Sequence, residues 1–126
     1  MGVYRLELFQ QHSLMITKLN DDVFKKIKTY SIANPNIEVC GFVVEKDNVL
    51  DFIAIENKHP NFENNFLISP LDYLKIKKDY NILYLFHSHF ENAFFSETDL
   101  DYQKYHNINM LLYIIKEDCF LEMMCK

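Results

Sequence analysis

The most informative segment for the fold is ILYLFHSH, residues 82–89. Its first five residues, Ile82 to Phe86, are apolar at every position, which is typical of a β-strand that is covered on both faces. Such a strand lies in the interior of a sheet that has other elements packed above and below it. The segment therefore predicts the central strand of an α/β domain.

Further elements are predicted on either side of this strand. Residues 21–34 have helical apolar spacing after a capping Asn20 and before Pro35, and Ser69-Pro70 begins a second helix that runs to about Lys78. A third helix begins at Ser96. The remaining apolar runs predict two antiparallel strand pairs, Val39–Val44 with Val49–Ile55 and Met110–Ile115 with Phe120–Met124. The pattern predicts an α/β fold with a mixed β-sheet flanked by helices.

Length and composition predict one domain over residues 1–126. The chain has 126 residues, of which 49% are apolar, and it contains no linker, repeat or low-complexity segment. A chain of this length buries enough surface to fold without disulfides or a structural metal. Any metal that it binds is therefore expected to serve a function.

Composition also excludes several functional classes. A net charge of −5 argues against nucleic acid as a partner, and no apolar run approaches the roughly 20 residues that span a bilayer. The first residues lack the pattern of a secretory signal. The three cysteines, Cys40, Cys119 and Cys125, form no C-x-x-C pair, which argues against both a disulfide framework and a zinc ribbon. We expect a cytoplasmic protein.

The triplet His87-Ser88-His89 comes directly after the predicted central strand. Residues two apart in an extended backbone point to the same side, so both imidazoles can bind one metal ion such as zinc. Alone the triplet is a weak signal, and two half-exposed histidines at a strand end explain it equally well. We interpret His12, His59 and His106 as solvated surface residues.

A second motif, S-x-x-D, follows at Ser96 and Asp99. Ser96 can cap a helix, and Asp99 lies one turn into that helix, where it can face the histidines and supply an oxygen ligand. The chain repeats the spacing at Ser69 and Asp72 with no histidine nearby. Taken alone, S-x-x-D therefore indicates a helix start.

The segment Ile37–Gly41, IEVCG, places a carboxylate just before a predicted strand. Together with H-x-H and S-x-x-D, in this order, it resembles the JAMM, or MPN-plus, metalloprotease family. In that family a glutamate, often followed by x-Cys-Gly, precedes H-x-H, a loop and S-x-x-D. The matching positions here are Glu38, His87, His89, Ser96 and Asp99. The helix before Glu38, Asn57 and the Phe66-x-Ile-x-Pro stretch are also similar, so the resemblance covers nearly the whole chain.

The resemblance implies a zinc-dependent hydrolase with an MPN/JAMM-like fold. His87, His89 and Asp99 would bind Zn²⁺, with water at the fourth position. Glu38 would be the general base and acid, and the Ser96 hydroxyl would stabilise the developing oxyanion. Cys40 is interpreted as a buried small residue rather than a nucleophile.

The loop between His89 and Ser96, Phe90–Phe95, is one residue shorter than is usual in the family, and Phe90 replaces a frequent proline. None of the ligand positions is lost. The implied activity is hydrolysis of an amide or isopeptide bond in the minimal form of prokaryotic or phage members. A ubiquitin-like protein tail, a peptide and a cell-wall cross-link are the candidate substrates.

Two other interpretations remain open at this point. In the first, the chain is a phage tail-assembly or scaffold component in which the same fold serves for docking. In the second, it is a globular domain whose H-x-H triplet is incidental. The sequence predicts neither the oligomeric state nor the binding partner.

Overall fold

The apolar strand predicted at residues 82–86 lies inside a six-stranded sheet. The structure, a computed structural model, describes residues 2–6 and 19–125. The strands are β1 (Gly2–Leu6), β2 (Cys40–Lys46), β3 (Val49–Ile55), β4 (Asn81–His89), β5 (Met110–Ile114) and β6 (Cys119–Met123). The helices of the described residues are α1 (Asp21–Ala33), α2 (Pro70–Asp79) and α3 (Glu97–His106).

The sheet has the strand order β1-β6-β5-β4-β2-β3. It is mixed, because β4 runs parallel to β5 and antiparallel to β2, and β1 runs parallel to β6. Both predicted strand pairs are antiparallel hairpins, β2–β3 and β5–β6. In the turn between β2 and β3, Asp47 and Asn48 have φ values of 51° and 65°, the positive values that tight hairpin turns require. The prediction of a single α/β domain with a mixed sheet is confirmed.

Both faces of β4 are covered. Tyr84 and Phe86 pack in one cluster with Val23 and Ile27 of α1, whereas Leu85 packs in a second cluster on the opposite face. All three strand residues have 0% exposure. Apolar burial on both faces stabilises the sheet.

β4 is longer than the sequence predicted. The prediction that the strand ends at Phe86 is wrong, because its backbone pairing with β5 continues through His87, Ser88 and His89. Ser88 also exchanges hydrogen bonds with Val39: its Oγ accepts from the Val39 N–H at 2.9 Å, and its own N–H donates to the Val39 carbonyl at 2.9 Å. Both histidines therefore lie on a rigid, paired strand.

The bounds of α1 agree closely with the prediction. The helix begins after Asn20, whose Oδ1 accepts a hydrogen bond from the Val23 N–H at 2.9 Å, as predicted for the cap. It ends at Ala33, so Asn34 is the C-cap and not the last helical residue. No helix in the described parts of the chain is long and apolar enough to cross a bilayer.

The other bounds shift by one or two residues. α2 runs one residue beyond the predicted Lys78, and Ser69 occupies its N-cap position without forming a side-chain cap hydrogen bond. The predicted N-cap position is confirmed, and Pro70 stands at the first helical position, which its fixed φ suits. β2, β5 and β6 differ from their predicted ranges because the interstrand pairing, and not the apolar run, sets their ends.

The fold brings three separate segments to the end of the sheet where β4 finishes. Cys40, the first residue of β2, pairs with His87, so Glu38 comes just before β2 at the end of the sheet where β4 finishes. α3 begins a few residues after β4 at this same end. Open sheets commonly place their sites at such a strand end.

Candidate metal centre

The two histidines of the triplet project from the same face of β4. They are separated by one residue in an extended strand, and their ring centroids lie 4.9 Å apart. Both side chains are buried, with 0% exposure for His87 and 8% for His89. Buried ring nitrogens such as these are expected to have hydrogen-bond or metal partners.

Glu38 contacts the second histidine. Its Oε1 lies 3.6 Å from His89 Nε2, and the carboxylate is 7% exposed. The possible ligand atoms of Glu38, His87 and His89 all lie within 4.8 Å of one another. Within residues 2–6 and 19–125, this is the group of histidine, cysteine and acidic side chains that could hold a metal ion.

Asp99 contacts the first histidine. Its Oδ2 lies 3.0 Å from His87 Nε2, and the carboxylate is 3% exposed. The same oxygen accepts a hydrogen bond from the Ser96 N–H at 2.8 Å, and Ser96 Oγ accepts one from the Asp99 N–H at 3.1 Å. These two bonds form a capping box at the start of α3. The loop after β4 therefore brings Asp99 into contact with His87.

The remaining ring nitrogens differ in their partners. The carbonyl of Asn92 lies 2.8 Å from His89 Nδ1, so that nitrogen carries the donated proton and leaves Nε2 as the free acceptor in the neutral ring. His87 Nδ1 is buried and has no hydrogen-bond partner among the described residues. In addition to the Asp99 contact at Nε2, packing holds the His87 ring, because Phe66 stacks on it at 4.7 Å and Phe95 meets it edge-on at 6.0 Å.

The carboxylates set the electrostatics of the site. Burial acts to lower the pKa of His89, but hydrogen bonding and charge from Glu38, with the Asn92 carbonyl and Asp99, raise it above its usual value. Burial acts to raise the pKa of Asp99, but His87 and the Ser96 bonds lower it below its usual value. The site thus keeps a charged carboxylate that favours a cation.

Cys40 takes no part in this chemistry. Burial, followed by the nearby Glu38 charge, raises the pKa of its thiol to about 12. The Sγ atom lies 3.5 Å from the Ile55 carbonyl, to which it can donate. A protonated thiol is neither a nucleophile nor a metal ligand.

The donors present fit a zinc ion. Two imidazoles and a carboxylate are a ligand set typical of catalytic zinc, and the hydrogen bond from His89 Nδ1 to Asn92 is the kind of contact that orients a metal-binding ring. His87 Nε2 faces a carboxylate oxygen and no other donor or acceptor in the described contacts. Glu38, His87 and His89 are therefore the group that could hold the ion, and Asp99, the ligand that the resemblance implies, contacts His87 beside this group.

An open cleft gives access to one side of the cluster. It has a volume of about 470 Å³, and its lining includes Glu38, His89, Ser96 and Phe90. His87 and Asp99 are not part of the lining and lie deeper in the protein. A substrate in the cleft would meet Glu38 and Ser96 first.

The other histidines lie apart from the cluster. His12 falls outside the described residues. His59 is half-buried in the loop after β3, where its Nδ1 accepts a hydrogen bond from the Asn61 N–H at 2.9 Å. His106, at the end of α3, is exposed and stacks against Tyr102 at 4.3 Å. His106 agrees with its prediction as a surface residue, whereas His59 has a local structural partner.

Three contributors to the site were not singled out from the sequence for these roles. They are the Asn92 carbonyl, the Phe66 ring and the Asn57 side chain, which bonds to the Glu38 carbonyl at 2.9 Å. A backbone carbonyl carries no sequence signal. Phe66 and Asn57 belong to stretches that resemble the metalloprotease family, but that resemblance does not say what they contact.

Comparison with known proteins identifies the fold alone. No family model and no curated protein matches the chain. Among solved structures, the solution structure of protein DSY2949 from Desulfitobacterium hafniense is similar with a TM-score of 0.59 and 20% identity, over 85% of this chain and 90% of that one. At this identity the similarity supports a shared α/β fold, and any activity must be argued from the site.

Proposed function

We propose that the protein is a zinc-dependent metallopeptidase of the JAMM type that hydrolyses an amide or isopeptide bond. The observation that carries the proposal is the convergence of Glu38, His87, His89 and Asp99 from three separate segments at one strand end. The Glu38 carboxylate contacts the His89 ring, and the Asp99 carboxylate contacts the His87 ring. One side of the group opens into a cleft.

The four side chains divide into ligands and a proton carrier. His87, His89 and Asp99 would bind the ion, and a zinc ion bound there would supply Lewis acidity toward a carbonyl and lower the pKa of water. Glu38 lines the cleft while the deeper Asp99 does not. Glu38 is thus placed to accept a proton from water in the cleft and to deliver it to the leaving amine.

The Ser96 hydroxyl can donate a hydrogen bond to the substrate. Its Oγ accepts from the Asp99 N–H, which leaves the hydroxyl proton available, and the residue is exposed in the cleft. A donor in this position can stabilise negative charge as it grows on a carbonyl oxygen. The cap bond to α3 fixes where that donor stands.

The cleft favours a polypeptide substrate. It is open to solvent, and its walls combine carboxylates and amides such as Glu63 and Asn64 with the Phe90 ring. An extended tail or a side-chain-linked peptide would enter it more readily than a bulky folded surface would. A ubiquitin-like protein tail, a peptide and a cell-wall cross-link remain the candidates to test.

The metal part of the proposal is tested by elemental analysis. We expect close to one zinc per chain, abolished by His87→Ala and His89→Ala but not by His59→Ala, which removes an imidazole outside the cluster. Protein purified without chelator that contains no zinc, and takes up none on reconstitution, would contradict the proposal.

The hydrolase part is tested on a panel of ubiquitin-like fusions, isopeptide-linked peptides and cell-wall cross-linked peptides. We expect zinc-dependent cleavage of at least one class, lost in His87→Ala. Stoichiometric zinc without cleavage across the whole panel would contradict the hydrolase and favour the docking role.

A further inference from the structure

The Asn57 side chain, just after β3, forms four hydrogen bonds of 3.0 Å or less and a longer one of 3.5 Å from Nδ2 to the Phe62 carbonyl. Its Nδ2 donates to the Glu38 carbonyl at 2.9 Å and to the Asn65 carbonyl at 2.8 Å. Its Oδ1 accepts from the N–H groups of His59 and Leu67, each at 3.0 Å. One amide thereby joins both ends of a loop, residues 58–67, to the segment that carries Glu38.

This loop in turn contacts two residues of the metal centre. The Phe62 carbonyl accepts a hydrogen bond from the Glu38 N–H at 2.8 Å. The Phe66 ring stacks on His87 with 23° between the ring planes. His87 Nδ1 has no hydrogen-bond partner in the described contacts, so the orientation of the ring depends on this stacking together with the Nε2 contact to Asp99.

We infer that Asn57 is a positioning residue that couples Glu38 and His87 through the 58–67 loop. Its hydrogen bonds hold the backbone of Glu38, the proposed proton carrier, and also the loop whose Phe66 ring stacks on His87, a proposed zinc ligand. The inference rests on the proposed function for the roles of Glu38 and His87. The coupling between the two segments does not depend on a metal.

Only an amide satisfies all four partners. Two of them are carbonyl oxygens that need donors, and two are N–H groups that need an acceptor. Asn57→Asp keeps the shape and the acceptor but places a carboxylate oxygen against the Glu38 and Asn65 carbonyls. It therefore breaks the bonds to the Glu38 and Asn65 carbonyls and retains those from the His59 and Leu67 N–H groups.

The first experiment measures zinc affinity by chelator competition. We expect Asn57→Asp and Phe66→Leu to weaken zinc binding by roughly 10- to 100-fold, the loss typical of residues that orient ligands, and Phe66→Tyr to stay near wild type because it keeps the ring. Asn34→Asp, which removes the bond to the Tyr30 carbonyl at the end of α1, is the matched amide control.

A destabilised control separates positioning from general loosening of the fold. Ile27→Ala truncates a fully buried core residue of α1, away from the loop. We expect it to lower the thermal midpoint at least as much as Asn57→Asp while zinc affinity is retained. Wild-type zinc affinity in Asn57→Asp, or equal losses in Asn57→Asp and Ile27→Ala, would overturn the inference.

The second experiment needs no metal. In chelator-treated protein, the Phe66 ring should shift the carbon-bound proton resonances of the His87 ring, and the Glu38 amide should exchange slowly. We expect Asn57→Asp to reduce both effects and Asn34→Asp to change neither. An unchanged His87 spectrum and Glu38 exchange in Asn57→Asp would overturn the inference, whereas a wild-type protein that binds no zinc would overturn only the proposed function.

Discussion

His87 Nε2 lies 3.0 Å from Asp99 Oδ2, although the imidazole belongs to β4 and the carboxylate to the first turn of α3. The same carboxylate oxygen accepts a hydrogen bond from the Ser96 N–H. Asp99 Oδ2 therefore both accepts the capping hydrogen bond at the start of α3 and contacts His87. The start of the helix therefore determines the position of this carboxylate.

Asp99→Asn tests this double role. It replaces a charged oxygen donor, so zinc affinity should fall by more than the roughly 10- to 100-fold that is typical when only a supporting residue is lost. Asp72→Asn, in the S-x-x-D of α2, should leave zinc affinity unchanged. Chelator competition measures both variants. Equal affinities would mean that the oxygen ligand lies elsewhere, and Glu91 in the cleft lining would be tested next.

Glu38→Gln tests the proton carrier. The variant keeps the shape of the side chain and removes the proton acceptor, so it should retain zinc and lose about 10²- to 10⁴-fold in hydrolysis. Glu45→Gln, further along β2, is the matched control with wild-type activity. Zinc content and rate are measured on the same samples. Release of zinc by Glu38→Gln would make Glu38 a ligand.

Ser96→Ala should separate three properties. Removing Oγ deletes the acceptor for the Asp99 N–H and should destabilise the fold by about 1 kcal/mol. Zinc should remain bound, and hydrolysis should fall roughly 10²- to 10³-fold through the lost donor to the substrate. Ser69→Ala removes a serine that makes no cap bond, so neither stability nor rate should change. A Ser96→Ala enzyme with wild-type rate would exclude the hydroxyl from catalysis.

Asp118 predicts a pH dependence away from the centre. Its carboxylate lies 2.9 Å from Lys28 Nζ and accepts a hydrogen bond from the Tyr113 hydroxyl at 2.7 Å, and these contacts lower its pKa. The charged form is thus favoured in the fold, so its stabilisation is present above the unfolded pKa of about 3.9 and is lost as pH falls through the lower native pKa.

Asp118→Asn tests the direction of this pH dependence of stability. The side chain stays compatible with the positive φ of 47°, which asparagine tolerates. The thermal midpoint of the variant should lie below that of wild type at neutral pH, and the difference should shrink as pH falls below about 4. Asp47→Asn, in the β2–β3 turn, controls for the turn position. A difference that is constant with pH would exclude the ion pair as its cause.

The sequence predicts the fold well where burial is continuous. Residues 82–86 indicated a strand covered on both faces, and Tyr84 and Leu85 are buried on opposite faces. The end of β4 was missed because histidines and serine carry no apolar signal, although their backbone pairs with β5. Strand ends depend on partners that are distant in the chain.

Some features of the site could also be predicted from the sequence and others could not. Side chains close in sequence, such as His87 and His89, can be paired from strand geometry alone. The contrast between Ser96 and Ser69 could not be predicted, because both precede the same spacing and only Ser96 forms the cap bond. The bonds of Asn57 were equally inaccessible, since its partners are backbone groups brought together by folding.

The contact of His89 Nε2 with Glu38 places a carboxylate against the nitrogen that would bind a metal ion. Burial acts to lower the pKa of His89, but the hydrogen bond and charge of Glu38 raise it, so this contact favours the form in which the nitrogen that would bind the ion carries a proton. Zinc and this proton compete for one lone pair, so metal uptake should acidify a lightly buffered solution and chelation should reverse the change. Binding of the metal ion at the end of β4 would then release a proton, and removal of the ion would let a proton bind again, while the sheet stays unchanged.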